Sequence, residues 1–308
     1  MQLLESPIKL IKMREIKPFL KWAGGKRQLL PEIEKRLPDF IKNGEKFNYV
    51  EPFIGSGSVM FHLINNYNEN IEKVIINDLN KRLIYLYETI IYNPQKFIQG
   101  IKKIEREYKK LDNNEKKDFY LKKREEFNNL PIRKDQKLNI SMLFLFLNKT
   151  GFNGMYRENK SGDYNVPFGK QNNPSFLDEK NILNISKLLS KKIEIRNKSY
   201  ENILYTNTNF KTFYYLDPPY IPVNKTSNFT EYIKGSNFHN PSSLKRLDKY
   251  CQKIKSLNGY LMMSNADTNE TTSLLSGGGD ISKVKARRSI NSIGSKRGKV
   301  GELIIVNY

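Results

Sequence analysis

One short stretch limits the fold more than any other. The apolar, β-prone run Phe213-Tyr214-Tyr215-Leu216 leads straight into Asp217-Pro218-Pro219-Tyr220. Such a run predicts a strand, which delivers Asp217 to its C-terminal end. In open α/β sheets, ligands bind in the crevice outside the carboxyl ends of the strands. Two consecutive prolines stop the ladder and stiffen the turn. Proline has no N–H, yet its carbonyl stays free to accept a hydrogen bond. Asp217, Pro218, Pro219 and Tyr220 therefore present a carboxylate, a rigid carbonyl and an aromatic ring in one corner.

That corner suits an exocyclic amine on a flat ring. The amine has two N–H donors: Asp217 and the Pro218 carbonyl each take one, and Tyr220 stacks on the ring. An aryl amine is a poor nucleophile because its lone pair is delocalised. Two acceptors that favour a pyramidal nitrogen localise that pair and aim it at an electrophile, a matter of positioning and electrostatics. The plainer alternative is a strand that ends in a proline turn.

Upstream lies a second phrase of the same grammar. Tyr49-Val50-Glu51-Pro52-Phe53-Ile54-Gly55-Ser56-Gly57-Ser58 predicts a strand, a glycine turn and a helix. Gly55 and Gly57 let a ligand approach the backbone closely. Lys73–Asp78 predicts another strand ending in an acid. Asp78 follows Gly57 by roughly 20 residues, near the spacing at which an acid meets ribose hydroxyls in a βαβ unit. A nucleoside-containing cofactor is implied, and the missing third glycine disfavours NAD. Before this unit comes Phe19-Leu20-Lys21-Trp22-Ala23-Gly24-Gly25-Lys26, a loop opening a helix, where backbone N–H groups and Lys26 can hold an anion. It is not a Walker A loop, since Arg27 stands where Ser or Thr is needed.

Charge narrows the partner. Lys and Arg number 53 against 32 Asp and Glu, a net charge of +21 that favours a polyanion, nucleic acid first. One cysteine, Cys251, excludes a disulfide framework and a multi-cysteine metal site. With only two histidines, no metal is expected. No run approaches the roughly 20 apolar residues of a membrane span, and a cytoplasmic, nucleoid-associated protein is expected. Met1–Lys12 reads as a loose leader, with Met13 as an alternative start.

Lys81 to Ile104 has helical periodicity broken at Pro94, Glu105–Lys137 is lysine-rich with aromatics at helical spacing, and Asn139–Asn148 is an apolar helical run. Then Gly151-Phe152-Asn153-Gly154-Met155-Tyr156-Arg157 and Asn165-Val166-Pro167-Phe168-Gly169 interleave glycine, asparagine, aromatics and arginine. This reads as a loop or hairpin with DNA-reading chemistry, since arginine can take guanine bidentately, asparagine can pair with adenine and an aromatic can wedge between bases; the plainer alternative is an ordinary Gly/Asn loop. Ile193–Ile195 returns to a strand, Tyr200–Leu204 is read as a helix, and Ile221–Asn240 as a long lid-like loop. Pro241–Ser256 is an amphipathic helix and Tyr260–Asn265 a strand. A basic stretch over Lys283–Ile290, a basic loop over Gly294–Lys299 and a strand over Glu302–Tyr308 follow. Arg287, Arg288, Lys296 and Arg297 are candidates for phosphate contacts.

In this order, Phe-Leu-Lys-Trp-Ala-Gly-Gly-Lys, Glu-Pro-Phe-Ile-Gly-Ser-Gly-Ser, Asn-Asp-Leu-Asn, Asp-Pro-Pro-Tyr and Arg-Arg-Ser-Ile resemble the Dam-type DNA adenine-N6 methyltransferases, including the restriction-linked GATC methylases. The resemblance runs from about Pro18 to Tyr308. It implies an α/β, Rossmann-like, S-adenosylmethionine-dependent methyltransferase sheet with a helical DNA-recognition insertion. The catalytic domain would cover residues 14–92 and 191–308, and the target-recognition domain residues 93–190. It implies S-adenosylmethionine as methyl donor, held by Trp22, Lys26, Glu51, Phe53, Gly55, Gly57, Asp78 and Asp217. Asp217 would lie between cofactor and target amine, and the adenine would leave the helix to reach it. Phe152, Asn153, Met155, Arg157 and Pro167 fall on the GATC-reading segment, with Phe152 as the wedge and Arg157 on guanine. Met155, Lys149-Thr150 and Ala266 depart from the best-known members. The implied partner is double-stranded DNA; an orphan enzyme and one with a restriction endonuclease in the same system, not in direct contact, are both compatible with the resemblance. Two alternatives share parts of this pattern: an amino methyltransferase for cytosine N4, RNA or protein, and a non-catalytic DNA-binding relative.

Overall fold

Strands that are apolar on both sides need a cover on both sides. Four strands answer to this, β1 (Phe47–Glu51), β2 (Ile71–Asn77), β4 (Lys211–Leu216) and β5 (Tyr260–Ala266), while β3 (Ile193–Arg196) alternates apolar and charged residues at the sheet's edge. The computed structural model describes residues 15–22, 24–170, 174–206, 209–220, 241–275, 279–287 and 299–308. The strands lie in one sheet, completed by β6 (Asp280–Arg287) and β7 (Lys299–Val306), in the order β3-β2-β1-β4-β5-β7-β6. β1 to β5 pair in parallel, whereas β7 runs antiparallel between β5 and β6. Side chains alternate across the sheet: Tyr49, Phe213, Tyr215 and Met262 bury on one face. Val50, Tyr214, Leu216, Leu261 and Met263 bury on the other.

The first face is covered by α1 (Leu30–Lys35), α2 (Asp39–Lys42), α3 (Ser58–Tyr67) and α4 (Lys81–Tyr92). The Asn80 side chain caps α4 by accepting from the Leu83 N–H at 3.0 Å. Pro94 then breaks the helix and opens the next one, α5 (Pro94–Lys109), because a first-turn proline forfeits no bond. Asp112 and Glu115 form a reciprocal capping box on α6 (Asn113–Asn129). The apolar α7 (Lys137–Thr150) is buried against α4, α5 and α6, and α8 (Glu179–Leu189) leads back to β3. On the second face, α9 (Pro241–Ser256) lays Leu244, Leu247, Tyr250 and Ile254 against the sheet, and the short α10 (Asn269–Leu275) packs on α9.

Two expectations need correction. The helix read over Tyr200–Leu204 is only a 3-10 turn at Tyr200–Asn202. Neighbouring side chains take the backbone groups that would have continued it: Tyr250 Oη donates to the Ile203 carbonyl, and Tyr214 Oη bonds both ends of Tyr205. Lys283–Arg287, read only as a basic stretch, belongs to edge strand β6. Lysines on a sheet edge discourage edge-to-edge pairing. The leader over Met1–Lys12, the lid-like loop over Ile221–Asn240, Arg288, Lys296 and Arg297 lie outside the described residues. So does the Arg287 side chain, at the end of β6. Among the described residues, no helix is long and apolar enough to cross a membrane.

Candidate active site

β1 has β2 on one side and β4 on the other, so the chain leaves their carboxyl ends in opposite directions and opens a crevice there. A cavity of about 420 Å³ occupies it, within the range of small-ligand sites. Trp22, Lys26, Glu51, Phe53, Gly55, Asp78, Asp217, Pro218, Pro219 and Tyr220 all line it. Gly57 does not; it serves the turn behind, entering α3 with φ +69.

The glycine loop needs its glycines for two reasons. Gly55 and Gly57 both hold left-handed φ, and each lies tight against an aromatic. A Cβ on Gly55 would stand 3.0 Å from the Trp22 ring, and one on Gly57 would stand 2.8 Å from Tyr87 Oη. Asp78 pins this loop to the next: its Oδ2 accepts from the Gly55 N–H at 3.2 Å, and its Oδ1 from the Asn80 N–H at 2.9 Å. Burial pushes the Asp78 carboxyl up to about 6, against the pull of these donors. Glu51 is buried too, and burial first, then the nearby Asp217, raises its carboxyl well above the usual range. Three tyrosines support the cavity from below. Tyr49 Oη donates to Glu51 at 2.7 Å and Tyr87 Oη to the Gly55 carbonyl at 3.0 Å, while Tyr215 Oη bonds Ser264 Oγ at 2.9 Å. Ser264 in turn donates to Asp217 Oδ1 at 3.1 Å.

The Asp217 corner holds a cation. Lys26 Nζ lies 2.9 Å from Asp217 Oδ1, donates to the Gly24 carbonyl at 2.8 Å, and stands 4.6 Å from the Tyr220 ring centre. Its side chain is 5% exposed and that of Asp217 21%, so the cation is shielded from water while the carboxylate still faces the cavity. Burial raises the Asp217 carboxyl above its ordinary value, and Lys26 opposes the shift. Tyr220 Oη reaches Glu302 of β7 at 3.2 Å.

A hairpin stands beside the cavity. Gly151 and Glu158 bridge Phe168 and Tyr164, and the Phe152 N–H donates to the Pro167 carbonyl at 2.9 Å. α6 braces it from behind: Tyr120 and Arg124 both donate to the Val166 carbonyl, and Asn128 grips both backbone groups of Tyr164. So held, Phe152 is 45% exposed, an unusual setting for a large apolar ring. Asn153, Arg157 and Pro167 are also exposed, while Met155 is half-buried against the core. Arg157 Nε donates to Asn165 Oδ1 at 2.7 Å, which presents its guanidinium on the outer face.

The family profile described as D12 class N6 adenine-specific DNA methyltransferase matches residues 22–290. The chain belongs to this class. It is 41% identical to "Type II methyltransferase M.MjaIII" of Methanocaldococcus jannaschii, over 96% of this chain and 100% of the relative. It is 33% identical to "Type II methyltransferase M1.LlaDCHI" of Lactococcus lactis subsp. cremoris, over 95% and 96%. It is 32% identical to a "DNA adenine methylase" of Vibrio cholerae, again over 95% and 96%. The protein is thus an enzyme that methylates N6 of adenine in DNA, and the family uses S-adenosylmethionine as methyl donor.

Several residues of this methyltransferase's cavity had no sequence signal. Ser199, Tyr200, Glu201 and Arg246 line it. Arg246 Nε lies 3.8 Å from Glu201, and Tyr200 packs its ring 5.0 Å from Phe53. Arg246 sits on an amphipathic helix, where an exposed arginine is ordinary. Ser264 was visible only as a small polar residue at the end of a strand. The pairing of Lys26 with Asp217 also has no local signature, since glycine loop and proline turn are far apart in sequence.

Proposed function

We propose that this adenine-N6 methyltransferase acts on GATC in double-stranded DNA and takes the target adenine out of the helix into the Asp217 corner. The observation that carries the proposal is the meeting of two features: a half-buried carboxylate at the cavity's edge and an exposed aromatic on a braced hairpin beside it. The cavity fits the family's donor in chemistry as well as size. Glu51 is buried and Asp78 half-buried, and both acids gain from a ligand with positive charge. We assign Trp22, Glu51, Phe53, Gly55 and Asp78 to holding it, with Gly57 shaping the loop and Lys26 and Asp217 at the reacting end. When bound, S-adenosylmethionine supplies an electrophilic sulfonium methyl.

Asp217 and the Pro218 carbonyl accept the two N6 hydrogens, Pro219 keeps the turn rigid, and Tyr220 stacks on the base. Lys26 and Ser264 both address Asp217 Oδ1, so Oδ2 is the oxygen we assign to the amine. Asp217 need not be a strong base, because the nitrogen becomes acidic only once methylated. Phe152 fills the space the adenine leaves, Arg157 reads guanine, and Asn153, Met155 and Pro167 complete the reading edge. Arg287 and Arg288 are assigned to phosphates. Residues 93–190 serve as the target-recognition region. The Type II names of two relatives support a role beside a restriction endonuclease.

The test uses labelled S-adenosylmethionine and two duplexes, one with GATC and one with the site scrambled, with the product base identified by mass spectrometry. N6-methyladenine in the GATC duplex alone is expected. Equal label in both would discard the site assignment.

A further inference from the structure

Arg82 is the least expected charge in the molecule. It sits in the first turn of α4, just past the Asp78–Asn80 wall of the cavity, yet its side chain is only 7% exposed. Its guanidinium lies 4.5 Å from the Phe127 ring centre, its Nη1 is 3.9 Å from Glu158, and its Nε has no hydrogen-bond partner. Glu158, its side chain 11% exposed, belongs to the hairpin and accepts from Tyr156 Oη at 2.5 Å. Tyr156 stacks on Trp22 at 5.7 Å and on Phe144 at 5.0 Å. Trp22 in turn covers Gly55, the floor of the cavity.

A second tie runs parallel to this one. Asn148, buried at the end of α7, accepts from the Lys21 N–H and donates to the carbonyls of Lys21 and Gly154. A Cβ on Gly154 would stand 2.6 Å from Lys21 Cβ. The hairpin and the residue before Trp22 are thus in direct contact.

Burying an arginine and a glutamate is expensive, and replacing such a pair by apolar residues is often neutral or stabilising. Stability alone is a poor reason for Arg82 and Glu158. We propose that Arg82 is a positioning residue: through Glu158 and Tyr156 it sets Trp22 against the glycine loop, tying the DNA-reading hairpin to the cofactor cavity so that each ligand improves binding of the other. The inference rests on the assignment of hairpin and cavity made above.

Trp22 is the only tryptophan, so its fluorescence reports on this wall alone. The wild type, Tyr156→Phe and Arg82→Met are titrated with a GATC duplex with and without S-adenosylhomocysteine, and with S-adenosylhomocysteine with and without duplex. Tyr156→Phe keeps the ring on Trp22 and cuts only the hydroxyl's links to Glu158 and Arg82, so it guards against a misfolded Arg82→Met. In the wild type each ligand is expected to raise affinity for the other by the same factor, roughly tenfold. In both variants that factor should fall below about twofold. A wild-type factor near one, or a factor kept in Tyr156→Phe and Arg82→Met, overturns the proposal. Equal coupling to GATC and scrambled duplexes, lost in the variants, upholds the tie while the GATC assignment fails.

Discussion

Replacing Lys26 by methionine keeps the length of its stem and removes the charge beside Asp217. An opposite charge at this range lowers a carboxyl pKa by roughly 1–3 units, or ~1.4–4 kcal/mol. Burial already holds Asp217 above its ordinary value with Lys26 present, so the variant moves it higher still. A protonated carboxyl is a much weaker acceptor for the adenine amine than a carboxylate, and each unit by which the pKa exceeds the pH costs about tenfold in the ionised form. The acid limb of the single-turnover rate should therefore shift up by roughly 1–3 pH units, with recovery toward alkaline pH. The stability penalty should grow with pH: it is least at acid pH, where the carboxyl is protonated, and greatest at alkaline pH, where the variant carries a carboxylate without its cation. The assay is label transfer to a GATC duplex across pH 5.5–9.5 under saturating conditions, with Tm followed in parallel. An acid limb in the wild-type position would refute the role given to the 2.9 Å pair.

Asp217→Ala should abolish transfer while cofactor and duplex binding partly survive; turnover within about tenfold of the wild type would remove Asp217 from the mechanism. Arg157→Ala should weaken discrimination at one base pair by ~1–3 kcal/mol, measured as kcat/KM on near-cognate duplexes, and unchanged ratios would count against it. Asp78, raised to about 6 by burial, binds a proton on folding, so its contribution to stability declines as pH rises from about 4 through about 6. Ligand-free Asp78→Asn should therefore gain on the wild type between pH 4 and pH 8, by up to ~3 kcal/mol, yet bind S-adenosylhomocysteine less well. A stability difference that ignores pH would refute this.

The parallel strands were legible because burial on both faces leaves nearly unbroken apolar sequence, as in Val74–Ile76 and Phe213–Leu216. Their ends were legible because a glycine turn or a proline turn has local chemistry. Tyr200–Leu204 was misread because its apolar spacing looks helical, while Tyr214 and Tyr250 claim its backbone from elsewhere. Lys26, Arg82 and Glu158 show what spacing cannot convey: each charge is explained only by a partner brought in by the fold. Phe152 was picked out as a wedge, but its exposure depends on Tyr120, Arg124 and Asn128 bracing the hairpin from another helix.

The tyrosines beneath the cavity bear on how such an enzyme can change. Tyr49, Tyr87 and Tyr215 each fill core volume with a ring and touch one wall with a single oxygen. Tyrosine-to-phenylalanine exchange removes that oxygen and leaves the packing almost untouched. Evolution, or a designer, thus has three small adjustments to the electric field around Glu51, Gly55 and Asp217, each one substitution away and none requiring the core to be rebuilt.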